Sequence, residues 1–101
     1  MPKDPITVTV ARELADLVPA FLRNRSKELE TLRAALEAGQ YEQLRQLGHR
    51  MKGVGNSYGF ERISVLGRII EEAAQTKDRS ALERCLAEYA EYLARVNVVY
   101  A

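Results

Sequence analysis

A chain of 101 residues, 47% hydrophobic and 29% charged, is sized for one domain with one core and is too short for separate cofactor and substrate lobes. Its formal net charge of +1 offers no general attraction for nucleic acid or an anionic membrane surface, so any positive field must be local. No run approaches the roughly 20 apolar residues that span a bilayer, and residues 1–5 lack the apolar stretch of a signal peptide; a cytoplasmic protein with no membrane partner is expected, folded as a single unit over residues 1–101.

Residues 6–10 alternate like a short extended segment, and residues 11–17 predict a brief N-terminal helix that yields before Pro19. A longer helix then starts, with Pro19 suited to its first turn. It buries Phe21, Leu22, Leu29, Leu32 and Leu36, with Arg25 and Ser26 interrupting the stripe, and Gly39 is placed to close it in a left-handed cap. The next helix, over about residues 40–58, carries Tyr41, Leu44, Leu47, Met51 and Val54 at spacings of three and four and stops at Gly59. Residues 60–75 predict a further helix burying Ile63, Leu66, Ile70 and Ala73. The last begins near residue 80, where Ser80 and Glu83 have the spacing of a capping box, and buries Leu82, Cys85, Leu86, Tyr89, Leu93 and Val96. Cys85 is the single cysteine and falls on that stripe, which marks it as a buried inert thiol. No sheet is indicated, and residues 97–101 read as either a last helical turn or a docked tail. The expected fold class is therefore all-α: an antiparallel up-and-down four-helix bundle with an additional short N-terminal helix laid across one end.

Residues 48–59 read Gly-His-Arg-Met-Lys-Gly-Val-Gly-Asn-Ser-Tyr-Gly. A glycine inside a helix costs about 1 kcal/mol relative to alanine, so Gly48, Gly53 and Gly55 need a reason that local stability does not supply; close approach by something outside the chain is the reading they suggest. At about 100° of rotation per residue, His49 lies roughly 160° from the centre of its helix's apolar cluster and should face water. Arg45, Lys52, Gly53 and Asn56 share its side of the helix, one or two turns away, and form a strip around the imidazole.

The strip excludes several chemistries. A metal centre needs three or four ligands, and the strip adds no carboxylate at ligand spacing to the lone histidine. A nucleophilic triad fails because Ser57 sits on the opposite side of the helix from a useful position. The run Gly53-x-Gly55-x-x-x-Gly59 has one residue too many before its last glycine, and no strand precedes it, so it is no dinucleotide fingerprint. Phosphoryl transfer fits: histidine side chains ordinarily titrate near pH 6.5, which leaves a mostly neutral, nucleophilic ring at cellular pH. The phosphorylated ring would carry a charge approaching −2. Lys52 can offset it through charge-assisted hydrogen bonds, with Arg45 on the other side, and the missing side chain at Gly53 leaves room for the donor's backbone.

The pattern His49-x-x-Lys52-Gly53-x-x-x-x-x-Gly59 resembles the signature of histidine-containing phosphotransfer (HPt) domains of phosphorelays, and the resemblance covers nearly the whole chain, including the order and length of the helices. It implies that His49 is the phosphoacceptor, Lys52 the phosphate-neighbouring lysine, Gly53 the clearance glycine and Gly59 the turn glycine. It further implies partners: receiver (response-regulator) domains whose aspartates exchange the phosphoryl group with His49, and a hybrid histidine kinase as a direct donor. The catalytic Mg²⁺ and its acidic pocket would then belong to the receiver, so no cofactor is expected on this chain. Without a nucleotide-binding motif it is not expected to phosphorylate itself from ATP, and it reads as a carrier and not an enzyme. Val54 stands where several members carry small residues, and Gly55 predicts a loose helix end. The competing reading is a helical adaptor that docks a receiver or other signalling partner without accepting phosphate. Arg45, Arg50, Lys52, Arg62 and Arg68 make the motif region locally basic in either case. No aromatic stacking strip accompanies these charges, so nucleic acid is not an expected partner, and a monomer is the expected state.

Overall fold

The computed structural model describes residues 4–101; residues 1–3, read above with the N-terminal segment, lie outside the described residues. The chain runs through strand β1 (Ile6–Val10), one 3-10 turn (Arg12–Leu14), helices α1 (Val18–Glu37), α2 (Tyr41–Ser57), α3 (Glu61–Gln75) and α4 (Arg79–Arg95), and strand β2 (Val96–Tyr100). The expected four-helix bundle is present among the described residues, each helix packing on its two neighbours in a closed ring. Neighbours run antiparallel. Gly48 meets Glu71 where Gly55 meets Phe60 and Ser64, Leu66 touches Cys85 where Arg62 pairs with Glu88, and Leu36 receives Arg79 where Glu28 receives Tyr89.

Helices α1, α2 and α3 end in the same way, because each needs a residue that turns the chain sharply while satisfying the last carbonyls. Gly39 (φ 69°), Gly59 (φ 87°) and Lys77 (φ 55°) take the left-handed conformation. The residue after each donates its N–H five residues back, Gln40 to Ala35, Phe60 to Gly55 and Asp78 to Ala73, all at 2.8 Å. Lys77 does this without glycine's freedom. The link from α3 to α4 also corrects the expected capping box: α4 starts at Arg79, Asp78 is its N-cap, and the Ala81 N–H donates to Asp78 Oδ1 at 3.1 Å. Ser80 instead accepts from Arg84, and Glu83 pairs with Arg79.

Two further expectations fail. In place of an N-terminal helix stands the single 3-10 turn, in which only Leu14 packs, half-buried, against the core, too narrow an apolar face to hold a longer helix down. Where no sheet was indicated, β1 and β2 add a two-stranded parallel sheet to the helical bundle, registered from Ile6 opposite Val96 to Val10 opposite Tyr100. Of the two readings of residues 97–101, the docked tail is the one found, held as a strand against β1. Parallel strands need a crossover, and here the whole bundle is the crossover. Ile6, Val8 and Val10 point inward with Val96 and Val98, while Thr7 and Thr9 face solvent. Ala101 extends the ladder by donating to Val10 at 3.1 Å and accepting from Arg12 at 3.0 Å.

The core runs along the bundle axis, with Leu32, Leu44, Met51, Phe60, Ile63, Leu66, Ile70, Leu82 and Tyr89 all sealed from solvent. Phe21 stacks on Tyr58 and Phe60 at 4.4 and 5.1 Å between ring centroids, tying the start of α1 to the α2–α3 turn. Cys85 is buried. Its Sγ–H lies 3.5 Å from the Leu66 carbonyl, and burial pushes the thiol up to about 11, so it stays protonated and unreactive.

Candidate functional site

Helix α2 carries His49 on the face turned away from the core, as its phase requires, and the side chain is 63% exposed. The ring is held by a residue that sequence spacing did not bring forward. Glu71, two-thirds of the way along α3 and only 12% exposed, accepts from His49 Nδ1 through Oε2 at 2.8 Å and from Lys52 Nζ through Oε1 at 2.9 Å. Lys52 foremost, and His49 after it, hold the Glu71 carboxyl below the usual carboxylate range. An ionised carboxylate can only accept, so the Nδ1 bond fixes the proton of the neutral ring on Nδ1 and leaves Nε2 with its lone pair. Nε2 is free of protein partners among the described residues and is the atom able to attack an electrophile.

The glycines explain how Glu71 reaches that position, and they correct the reading that something external approaches all three. A Cβ at Gly48 would lie 2.7 Å from Glu71 N and from Gly67 O. At Gly67 it would lie 2.6 Å from Lys52 N, and at Gly55 2.6 Å from Ser64 Oγ. These three glycines let the backbones of α2 and α3 touch, which carries Glu71 across to His49 and Lys52. Gly55 is accordingly buried, and its carbonyl accepts the Phe60 N–H at 2.8 Å where α2 turns into α3. Gly53 differs: a Cβ there meets nothing within 4 Å. It alone of the three in the motif leaves open space beside His49.

The other expected residues are placed as follows. Arg45 lies on the strip, but its guanidinium grips Glu42 of its own helix at 2.9 and 2.6 Å. That bond holds the Glu42 carboxyl below its ordinary value. Asn56 is exposed one turn beyond Lys52, its backbone N–H donating to Ser64 Oγ at 2.9 Å. Gly59 forms the α2–α3 turn against β1, 3.6 Å separating a Cβ there from the Thr9 carbonyl. Ser57 donates to the Gly53 carbonyl at 3.2 Å. Among the described residues, no group of three or more His, Cys, Asp or Glu side chains is gathered closely enough to hold a metal ion.

An exposed histidine oriented by a carboxylate on a four-helix bundle agrees with the comparison of the sequence with family models, which matches the Hpt domain over residues 16–98. The chain belongs to the Hpt domain family. Hpt domains are phosphotransfer carriers of two-component phosphorelays and interact with receiver domains and kinases. Strand β1 lies before the matched span, and β2 straddles its end. Neither the curated proteins nor the solved structures give a match to the chain. No helix among the described residues is long and apolar enough to cross a membrane.

Proposed function

We propose that this Hpt domain carries a phosphoryl group on His49 Nε2, taking it from the aspartyl phosphate of a receiver domain or from a kinase and passing it to another receiver. The observation that carries this reading is the Glu71 bond to Nδ1, which aims an unprotonated Nε2 into solvent. Nε2 attacks the phosphorus, the Nε2–P bond forms as the acyl P–O bond breaks, and the receiver's aspartate leaves as a carboxylate. No proton moves. The positive charge that appears on the ring is met by Glu71, and Lys52, one turn away, can swing from Glu71 toward the phosphoryl oxygens. Gly53 gives the partner's backbone the room that in-line transfer requires. Arg45 and Asn56 border the docking face, and Gly59 fixes the turn that supports it. This reading has the chain working as a monomer in the cytoplasm, without a cofactor of its own.

Incubation with a panel of phosphorylated receivers tests it. The wild-type chain should acquire an acid-labile label that His49→Gln abolishes, and Gly53→Leu should keep the fold while slowing transfer. Full labelling of His49→Gln would remove the reading. Equal receiver binding by wild type and His49→Ala, with no phosphohistidine signal by phosphorus NMR, would instead identify a docking adaptor.

A further inference from the structure

Beside His49, the touching backbones of α2 and α3 leave a groove of about 580 Å³ on the solvent side. It begins at Lys52, within one turn of the imidazole, and runs toward the N-terminus of α3. Lys52 and Asn56 form one wall, Val65 and Arg68 the other, Ser64 lies at the floor and Glu61 stands among its lining residues. Ser64 is buried, with its hydroxyl committed to the Asn56 N–H, so the floor is already satisfied and asks for no small polar ligand. The unmet need lies in the wall. Arg45 and Arg62 are each neutralised by a carboxylate of this chain, Glu42 and Glu88. Arg68 is exposed and has no hydrogen-bond or ion-pair partner among the described residues. Lys52 is likewise paired, with Glu71, so Arg68 is the one cation of the channel's lining left uncompensated by this chain, a single positive point at the end away from Glu61.

Resting on the phosphotransfer reading, we propose that this groove seats an acidic segment of the receiver partner, with a carboxylate on Arg68 and an apolar side chain on Val65. Arg68 presents a planar fork suited to a carboxylate. Val65, half-buried, supplies the apolar contact. Glu61 repels a second acid, so the segment's carboxylate belongs at the Arg68 end and its polarity in the groove is fixed. The same contact places the receiver's phosphoryl donor against Nε2, so it acts on encounter and register and leaves the bond-making step alone.

The test separates docking from chemistry by using two donors. Phosphoramidate, a small donor that needs no docking, reports on His49 itself; the phosphorylated receiver that most rapidly labels the wild-type chain reports on the groove. Arg68→Glu should reduce kcat/KM with the receiver about tenfold at low salt, through KM with kcat retained, and the deficit should shrink as salt rises. Arg68→Lys should recover most of the loss, Val65→Glu should reproduce it, and phosphoramidate should label all of them like wild type. If Arg68→Glu and Val65→Glu both accept from the receiver as wild type does, the groove proposal is overturned and the carrier reading stands. If neither donor labels His49 in the wild-type chain, the carrier reading fails and the groove proposal falls with it.

Discussion

Replacing Gly48 by alanine sets two known effects against each other. Helix propensity favours the change by about 1 kcal/mol. The new Cβ, however, would lie 2.7 Å from two backbone atoms of α3, Glu71 N and Gly67 O, and 3.0 Å from Ile70 Cγ2. Backbone cannot rotate away as a side-chain tip can, so α2 and α3 must part by about 0.7 Å to restore ordinary contact at 3.4 Å. Overpacking of this kind costs typically about 1–3 kcal/mol, and two backbone contacts put Gly48 at the upper end of that range, for a net loss of about 1–2 kcal/mol. Gly53→Ala meets nothing and keeps the propensity gain, so it should stabilise by about 0.5–1 kcal/mol. With urea m-values of about 1–3 kcal/mol/M for small proteins, the two midpoints should differ by about 0.5–3 M, in opposite directions from wild type. A Gly48→Ala protein as stable as Gly53→Ala would refute the close helix contact and, with it, the account of how Glu71 reaches His49.

The Glu71 carboxylate, whose pKa is depressed below 4.5 chiefly by Lys52 and then by His49, stabilises the fold above that ordinary value, and the stabilisation is lost as pH falls through the lower folded pKa; a carbon-detected NMR titration that places Glu71 at or above 4.5 would contradict the clamp. Glu71→Gln should slow labelling of His49 by phosphoramidate by about 10-fold or more, the scale on which groups that orient a histidine matter at metal sites, and an unchanged rate would show that the tautomer is not set there. Lys77→Gly relieves a left-handed residue with a Cβ and should raise stability by about 0.5–1 kcal/mol in urea unfolding; a loss would mean that the Lys77 side chain contributes more than its backbone strain costs.

The four long helices were legible because each repeats apolar residues at spacings of three and four, a signal carried within one segment. What failed needed two segments at once. The alternation of Ile6, Val8 and Val10 was visible, but its partner lies 90 residues away, and nothing near Val96 announces a strand that continues directly from a helix. Glu71 is hidden from spacing for the same reason, since only the α2–α3 crossing brings it to His49. The glycines carry their role in their phase: Gly48 and Gly55 each follow a core residue by four, Leu44 and Met51, while Gly67 follows Ile63 by four, which places them at a helix contact. Gly53 follows His49 by four, on the wet side. The capping box was lost by two residues, because the turn at Lys77 hands the cap to Asp78 before Ser80 is reached.

The parallel pairing of β1 with β2 also governs how the domain bears mechanical load. The polypeptide enters at the Ile6 end of the ribbon and exits at the Tyr100 end, so tension between the two termini pulls the strands lengthwise past each other. All rungs are then strained together, where an antiparallel pair would open one rung after another. The helices between them are shielded until the ribbon shears, which makes the least helical part of this protein the fastening that guards the rest.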